Sequence, residues 1–329
     1  MSKIINDVLD KATKIAIVSH INPDADALCS SLALKNIIKN NYDYKYVDVF
    51  VDGEIGSLYD PILRDEVVNP RKPCSSYDLV FVLDSPNIER TGIYGDLILN
   101  TPVIVDIDHH ATNEKFGTYN FVSAGASSTC EMIYLMAKGS KFEMNNLIAK
   151  ELYQGIITDT NCFTSNAISR RSHQVISELL GYKFDSEAIK AYYFKNNSVA
   201  KTRLLQKALI SLKFYGGEKF TTMKIPNELF AKFDASFEDS LGIIDNGINI
   251  SGTEISAILV EKEPELIHVS LRSKGKINVG EIAQKFGGGG SLELAAYQTE
   301  GNIKECESAL VAEVLPQLGD IKEDEEILF

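Results

Sequence analysis

The chain has 329 residues, 44% of them hydrophobic and 24% charged, a composition that excludes a disordered or fibrous protein. A single hydrophobic core stops growing at roughly 250 to 300 residues, so this length predicts two domains. The 33 basic and 46 acidic side chains give a net charge of 33 − 46 = −13, which argues against a broad basic face that coats long duplex DNA.

The first twenty residues carry scattered charges and lack the apolar core and the cleavage site of a signal peptide. No later apolar run approaches the roughly 18 residues of a membrane-spanning helix. The five cysteines are widely spaced and include no CxxC pair, which is typical of reduced, buried thiols. We therefore expect a cytoplasmic protein with no attachment to a membrane.

Short β-rich runs alternate with helical segments in the first half of the chain. The strand candidates, rich in Val and Ile on both faces, are residues 14–20, 46–52, 78–84 and 102–108. The helix candidates are residues 26–40, 127–140, 145–159 and 171–182. This alternation predicts an α/β domain with a mostly parallel sheet flanked by helices.

The pattern changes after residue 185. A helical, charged stretch over 186–215 is interpreted as a connector. A strand pair over 254–275, a helix, a run of four glycines and a last helix over 303–318 predict a smaller α/β domain. The predicted organisation is one domain over 1–185, the connector over 186–215 and a second domain over 216–329, which ends in an acidic, solvated tail over 320–329.

Ionisable side chains collect at the ends of the predicted strands, where the loops of a parallel sheet converge and bind ligands. With one more at the end of helix 145–159, they are His20, Asp24, Asp26, Asp84, Asp106, Asp108, His109, His110 and Asp159. A single Asp after a strand usually caps the next helix, and a single His usually bonds to nearby polar groups. Carboxylates gathered at one edge repel each other unless a cation lies between them, so the set predicts a metal site.

The types of ligand indicate which metal this site would bind. Two imidazoles and about four carboxylates without a thiolate favour Mn²⁺ or Mg²⁺ over a structural zinc ion. Six ligands are too many for one ion that keeps positions open for substrate and water. We expect two divalent ions, with Mn²⁺ preferred, joined by a bridging Asp, an arrangement that clamps the attacking and leaving oxygens in phosphoester hydrolysis.

Five motifs in the sequence resemble those of one known family. In chain order, "HINPDADA", "VLDSP", "DHHATN" and "GIITDT" are similar to the motifs of the DHH phosphoesterase superfamily, and "FGGGGS" is similar to its DHHA1 C-terminal domain. Within the superfamily, the chain most resembles the short, two-domain oligoribonuclease and pAp-phosphatase proteins of the bacterial NrnA type. The resemblance implies a catalytic DHH domain over 1–185 and a substrate-binding DHHA1 domain over 216–329, with the substrate in the cleft between them.

The resemblance also implies a role for most residues of the cluster. The metal ligands would be His20 and Asp24 for one ion, Asp26, His109 and Asp159 for the other, and Asp84 between the two. A hydroxide activated by both ions would be the nucleophile. The neighbouring side chains would be His110 facing the scissile phosphate as acid or charge stabiliser, Asp108 orienting a histidine, and Asn113 reaching substrate or supporting the loop. Asp106 receives no role.

Substrate contacts are expected from three further segments. Arg170 in "SNAISRRSH" matches an arginine of the family, although the adjacent Arg171 fits as well. Arg272 and Ser273 are the expected contacts to phosphate or base, with positive potential added by Lys274 and Lys276. The glycine run, expected to bring backbone N–H groups close to an anion ahead of a helix, adds Gly288, Gly289, Gly290 and Ser291. Ser291 stands where the family has a histidine.

The expected function is hydrolysis of short single-stranded oligonucleotides to mononucleotides, or of 3′-phosphoadenosine 5′-phosphate (pAp) to AMP. Two alternative enzymes are a cyclic- or linear-dinucleotide phosphodiesterase and a manganese pyrophosphatase, whose different basic C-terminal signature this sequence lacks. A nucleotide-binding protein with weakened catalysis is a third alternative, because the histidine of the glycine run is missing. The sequence is compatible with a homodimer and with a monomer.

Overall fold

The computed structural model of the protein describes residues 1–63, 68–69, 73–164 and 168–319. Its chain forms two compact units, Met1–Asn196 and Asn197–Phe329. The acidic tail over 320–329 lies outside the described residues, as do residues 165–167, which are part of the segment that precedes Arg170.

The first unit is built on a sheet of five parallel strands. They are β1 (Lys14–Ser19), β2 (Tyr46–Phe50), β3 (Leu79–Leu83), β4 (Ile104–Asp108) and β5 (Tyr119–Val122), in the spatial order β2-β1-β3-β4-β5. Every residue of β3 is buried, because a central parallel strand has both faces covered. Since β1, β3 and β4 are neighbours, the loops that follow them meet at one edge of the sheet.

The helices described in the first unit surround this sheet. They are α1 (Ser2–Lys11), α2 (Ala25–Asn41), α3 (Asp60–Leu63), α4 (Gly95–Leu99), α5 (Thr129–Ser140), α6 (Asn146–Asp159), α7 (Arg170–Leu179) and α8 (Ser186–Phe194), with 3₁₀ turns at Ser57–Tyr59 and Glu89–Tyr94. Apolar residues of α1, α2, α5 and α6 join those of the strands in the main core. A smaller core that includes Val18, Val82 and Ile98 lies on the other face of the sheet.

Polar side chains determine where four of these helices begin. Asp24, Ser128, Asn145 and Ser169 each accept a hydrogen bond from the backbone N–H three residues further on, at 3.0 to 3.3 Å. Such a cap stabilises a helix by about 1 kcal/mol because it satisfies an N–H group that has no partner within the helix. Asp24 and Ser128 thereby fix the starts of α2, which carries Asp26, and of α5, whose Thr129 bonds to Asp26 and Asp84.

The second unit contains a mixed sheet of six strands. They are β6 (Lys213–Tyr215), β7 (Phe220–Ile225), β8 (Ile255–Glu263), β9 (Leu266–Ser273), β10 (Gly289–Gly290) and β11 (Leu294–Glu300), in the spatial order β10-β11-β9-β8-β7-β6. The pair β7 and β8 is parallel, and the other neighbouring pairs are antiparallel.

Helices cover both faces of this second sheet. They are α9 (Val199–Ile210), α10 (Glu228–Phe233), α11 (Asp245–Ile248), α12 (Val279–Lys285) and α13 (Ile303–Val314), with 3₁₀ turns at Phe237–Ser240 and Leu315–Leu318. Residues of α12 and α13 pack with one set of strand side chains, and residues of α9 pack with another. Each unit therefore has its own hydrophobic core.

The predicted fold class is confirmed, with a parallel sheet flanked by helices in the first unit and a mixed sheet in the second. The four strands predicted in the first half are β1 to β4, and the strand pair predicted over 254–275 is the antiparallel hairpin of β8 and β9. The edge strand β5 and the first helix α1 were not predicted. The stretch interpreted as a connector contains α8, which belongs to the first unit, and α9, which belongs to the second.

The glycine run corrects one expectation, because the element that directly follows it is strand β11 and not a helix. The run follows the end of α12, and Gly289 and Gly290 form β10, which pairs with β11. A Cβ atom on Gly288 would lie 2.2 Å from the carbonyl oxygen of Ala296. The run is therefore explained by the close approach of two strands, which only glycine permits here.

Among the described residues, no helix combines the length and the apolar character needed to cross a bilayer. All five cysteines are free thiols, and Cys29, Cys130 and Cys306 are buried.

Candidate metal centre

The carboxyl edge of the first sheet brings the predicted cluster together. His20 follows β1 directly, Asp84 follows β3, and His109 and His110 follow β4. The remaining members come from helix ends: Asp24 and Asp26 lie at the start of α2, and Asp159 is the last residue of α6.

His20 lies between two carboxylates and has one ring nitrogen turned towards them. Its Nδ1–H donates to the carbonyl oxygen of Ile21 at 3.0 Å. Since a carbonyl can only accept, this bond fixes the tautomer and leaves Nε2 as the possible metal ligand. Nε2 lies 3.8 Å from Oδ1 of Asp24 and 3.7 Å from Oδ2 of Asp84.

Asp84 occupies the middle of the cluster. Its side chain is 2% exposed, and its oxygens face different histidines: Oδ2 faces His20, and Oδ1 lies 3.4 Å from Nε2 of His109. Its backbone has φ = 58°, a left-handed conformation that is uncommon for residues other than glycine. Strained backbone of this kind clusters at functional sites, where the surrounding structure holds it in place.

His109 connects Asp84 to the end of α6. Its Nε2 lies 3.7 Å from Oδ2 of Asp159. Three overlapping sets have their ligand atoms within 4.8 Å of one another: His20, Asp24 and Asp84; Asp26, His109 and Asp159; and Asp84, His109 and His110. The first two sets contain the residues expected for two separate ions.

The charges of the carboxylates dominate the electrostatics of the cluster. Burial together with the charges of Asp84 and Asp159 raises the pKa of Asp26 well above its usual range. Burial lowers the pKa of His109, but the hydrogen bond and charge of Asp84 and the charges of the other carboxylates outweigh it and raise the value to about 10. Burial also lowers the pKa of His20. The hydrogen bond and charge of Asp24 and the charge of Asp84 outweigh this effect and raise the pKa to about 9. The carboxylates thus draw protons onto the histidines, and this donor set fits divalent cations that would replace those protons.

His110 is the most exposed histidine of the three, with a side chain that is 41% exposed. Its Nδ1–H donates to Oδ1 of Asp108 at 2.7 Å, and its ring lies 4.8 Å from that of His109. Burial lowers the pKa of His110, but the hydrogen bond and charge of Asp108 outweigh it, so the net shift is upward. An imidazolium oriented in this way can donate a proton or stabilise negative charge.

Asn113 holds Asp108 and the loop in place. Its amide Nδ2 donates to Oδ2 of Asp108 at 2.8 Å and to the carbonyl oxygen of Ser85 at 3.2 Å. The loops that follow β3 and β4 are therefore tied together next to His110.

Asp106 points into the protein at the same edge. It is fully buried, its Oδ1 accepts from Asn113 at 3.3 Å, and its Oδ2 has no hydrogen-bond partner among the residues that the structure describes. Burial and the charge of Asp108 raise its pKa to about 7. Asp106, to which the sequence motifs assign no role, is thus a carboxyl group whose neutral form is favoured by its surroundings in the fold.

The two arginines at the start of α7 differ in their surroundings. Arg171 donates through Nε to Oε1 of the buried Glu131 at 2.6 Å and also to the carbonyl oxygen of Gly125 at 3.2 Å. Arg170 is exposed and makes no ion pair with any residue that the structure describes. Arg171 therefore has a structural partner, whereas Arg170 has an exposed side chain.

The remaining expected contact residues lie in the second unit. The Nε of Arg272 is 3.8 Å from Oδ1 of Asp245, and Ser273 is buried, with its Oγ accepting from the N–H of Gly275. The N–H groups of Gly288 and Ser291 donate to the carbonyl oxygens of Ala283 and Leu294. These two N–H groups are therefore already satisfied within the chain.

Thr129 contacts two carboxylates of the cluster and was not predicted as part of the site. Thr129, at the start of α5, bonds to Asp26 through its backbone N–H at 2.6 Å and to Asp84 through its hydroxyl at 2.9 Å. The sequence predicted a helix there. It carried no signal for these contacts, because Thr129 lies 103 positions from Asp26 and 45 positions from Asp84 along the chain.

Comparisons with known proteins agree with this architecture. Residues 14–158 match the DHH family, N-terminal domain, and residues 217–317 match the DHHA1 domain. The chain is 30% identical to the probable bifunctional oligoribonuclease and PAP phosphatase NrnA of Streptococcus mutans, over 84% of this chain and 86% of that protein. It is also 24% identical to the cyclic-di-AMP phosphodiesterase PdeA of Listeria monocytogenes, over 95% of this chain and 49% of that protein.

A solved structure extends the agreement to the fold. The crystal structure of an exopolyphosphatase-related protein from Bacteroides fragilis matches with a TM-score of 0.88 at 27% identity, over 97% of both chains. Because both domains match and the relatives align over most of the sequence, the chain belongs to the DHH family and is a phosphoesterase with a C-terminal DHHA1 domain.

Proposed function

We propose that this phosphoesterase hydrolyses short oligonucleotides to mononucleotides and removes the 3′-phosphate from pAp to give AMP. The observation that carries the proposal is His110, which lies partly exposed beside a buried cluster of histidines and carboxylates and is oriented by Asp108 at 2.7 Å. This arrangement supports a role for His110 as proton donor beside ligands for divalent cations.

Two divalent ions, Mn²⁺ by preference, would be held by side chains of the first unit. The proposed ligands are His20, Asp24, Asp26, Asp84, His109 and Asp159. When bound, such ions lower the pKa of water and neutralise the charge of a phosphate group. The mixture of imidazole and carboxylate donors without a thiolate suits Mn²⁺ or Mg²⁺.

His110 would act on the substrate directly. Asp108 accepts from Nδ1–H and raises the pKa of the ring, which favours the imidazolium form with its second proton on Nε2. Donation of this proton to the leaving oxygen neutralises the alkoxide as the P–O bond breaks. Asp108 remains ionised, because His110 and Asn113 both donate to it and hold its pKa below the usual range despite burial.

Substrate contacts are assigned to residues outside the cluster. Arg170 is exposed in the first unit and suits a phosphate group, since a guanidinium can bind phosphate through two parallel hydrogen bonds. Arg272 and Ser273 would supply contacts from the second unit. A negatively charged substrate would then meet local positive charge on a protein whose net charge is −13.

The named relatives support the choice of substrate. The protein of Streptococcus mutans is named for both activities, and it aligns with 84% of this chain. One observation favours a second candidate, hydrolysis of cyclic or linear dinucleotides: the relative named as a cyclic-di-AMP phosphodiesterase aligns with 95% of this chain.

A parallel assay separates these substrates. Metal-stripped protein is supplied with Mn²⁺ and incubated with pAp, a labelled diribonucleotide, a short DNA, cyclic-di-AMP or pyrophosphate, with the same reactions in chelator as controls. We expect turnover of pAp and of the diribonucleotide that depends on Mn²⁺. Preferred turnover of cyclic-di-AMP would favour the second candidate, and binding without product for every nucleotide would overturn both.

A further inference from the structure

The start of α5 contacts two carboxylates of the candidate metal centre at once. The N–H groups of Thr129 and Cys130 donate to Oδ2 and Oδ1 of Asp26 at 2.6 and 3.0 Å. The hydroxyl of Thr129 donates to Oδ1 of Asp84 at 2.9 Å. Thr129 and both carboxylates are buried, so water does not compete for these bonds.

The hydroxyl of Thr129 restricts the rotation of the Asp84 carboxylate. Oδ1 of Asp84 faces His109 and Oδ2 faces His20, at 3.4 and 3.7 Å from their Nε2 atoms. The terminal torsion of an aspartate is broad, so a carboxylate without a bonded partner can turn easily. The bond from Thr129 to Oδ1 therefore fixes which oxygen faces which histidine.

The start of α5 is itself held firmly by Glu131. This fully buried carboxylate accepts hydrogen bonds from the N–H and the hydroxyl of Ser127, from the hydroxyl of Ser172 and from Nε of Arg171. These bonds tie the segment before α5 to the start of α7. Thr129 thus projects from a backbone that has little freedom to move.

We propose that Thr129 is a positioning residue that sets the orientation of Asp84 and Asp26 for metal binding. The inference rests on the metal-binding part of the proposed function and does not require a particular substrate. Thr129 would act through the two carboxylates and would not touch the substrate. Partners that orient metal ligands typically change metal affinity by about 10- to 100-fold.

Two substitutions test the role of the hydroxyl. Thr129→Val keeps the shape and the backbone N–H but removes the bond to Asp84, whereas Thr129→Ser keeps the hydroxyl. Thr91→Val is the matched control, because Thr91 is also fully buried and its hydroxyl donates to the carbonyl oxygen of Ile88, which is outside the cluster. Each metal-free, full-length variant is titrated with Mn²⁺ by calorimetry in the absence of substrate.

We expect Thr129→Val to bind at least one ion about 10- to 100-fold more weakly, with Thr129→Ser and Thr91→Val close to the unmodified protein. Thr129→Ala is titrated in parallel, so that the conclusion does not depend on how well Val fits. Unchanged affinity and stoichiometry in Thr129→Val or Thr129→Ala would overturn the inference. If the unmodified protein binds Mn²⁺ with the expected stoichiometry but hydrolyses no nucleotide, the proposed function fails while the positioning role stands.

Discussion

At the scale of single residues, the proposed catalytic role of His110 and the proposed metal-binding role of Asp84 can be tested separately. His110 is oriented by Asp108 and is partly exposed, whereas Asp84 is buried among the proposed ligands. We predict that His110→Ala loses about 10²- to 10⁴-fold in turnover, the usual contribution of a general acid, and keeps its bound Mn²⁺. Asp84→Ala should lose both turnover and metal.

The two readouts for these variants are the turnover of a diribonucleotide and the number of Mn²⁺ ions bound per chain. Full retention of metal in Asp84→Ala would show that this residue does not lie between two ions. Loss of metal in His110→Ala would mean that this histidine is a ligand.

Asp106 gives the stability of the protein a specific pH dependence. Its pKa is about 7 in the folded state and 3.8 as the usual value. Between these pH values the folded state therefore holds a proton that the unfolded state releases. This group therefore lowers stability progressively as pH rises from 3.8 to about 7, and the loss is complete above 7. Asp106→Asn should gain about 2 to 4 kcal/mol at pH 8 and little at pH 4, since each pKa unit corresponds to about 1.36 kcal/mol.

Denaturant unfolding at the two pH values measures the effect of Asp106→Asn. The control is Asp7→Asn, because Asp7 is exposed on α1 and has no such environment. Equal changes in stability at pH 4 and pH 8 would contradict the account of Asp106.

At the scale of elements, a buried lysine holds the end of α1. Nζ of Lys45 donates to the carbonyl oxygens of Leu9 and Ala12 at 2.7 and 2.6 Å, and the side chain is almost fully buried. The carbonyl oxygen of Leu9 also accepts from the N–H of Ala12 at 3.2 Å, and Ala12 itself lies just beyond the last residue of the helix. We predict that Lys45→Met destabilises the protein by about 1 to 3 kcal/mol, because it removes two hydrogen bonds from a charged donor to buried carbonyl oxygens.

The denaturation midpoint of Lys45→Met is compared with that of Lys11→Met. Lys11 also lies at the end of α1 but is exposed, so its replacement should cost less than about 0.5 kcal/mol. Similar midpoints for the two variants would show that Lys45 does not stabilise the end of α1.

The sequence predicted those elements in which apolar residues occupy the buried positions. β1 and β3 are continuous apolar runs because helices cover both faces of the sheet. β5 has four residues, two of them exposed, so its Tyr119 and Asn120 resemble a loop. The glycine run was associated with a helix because glycines often precede anion-binding helices, whereas its real cause is the approach of β11, which only the tertiary structure contains.

At the scale of the whole molecule, the candidate site depends on residues 20 to 159, which the parallel topology brings to one edge. This gathering was predictable because strand ends converge in such sheets. The orientation of each carboxylate could not be predicted, since it depends on partners that are distant in the sequence, such as Thr129 on α5. Likewise, the sequence could not separate Arg170 from Arg171, because the distinction rests on the buried partner Glu131.

The second unit is expected to contribute to substrate binding and not to metal binding. We predict that Arg272→Ala raises KM for a diribonucleotide by about 10- to 100-fold, the loss of one hydrogen bond to a charged group, without changing Mn²⁺ affinity. Arg203→Ala, at an exposed position on α9, is the control. An unchanged KM for Arg272→Ala would remove this residue from the proposed binding site.

The central claim is that the cluster binds two divalent ions and hydrolyses short oligonucleotides and pAp. The most direct test is a titration of metal-stripped protein with Mn²⁺ in which bound ions and turnover of pAp and a diribonucleotide are measured together. The account predicts about two ions per chain at saturation and product from both substrates as the sites fill. Saturation with metal and no product from either substrate would contradict it.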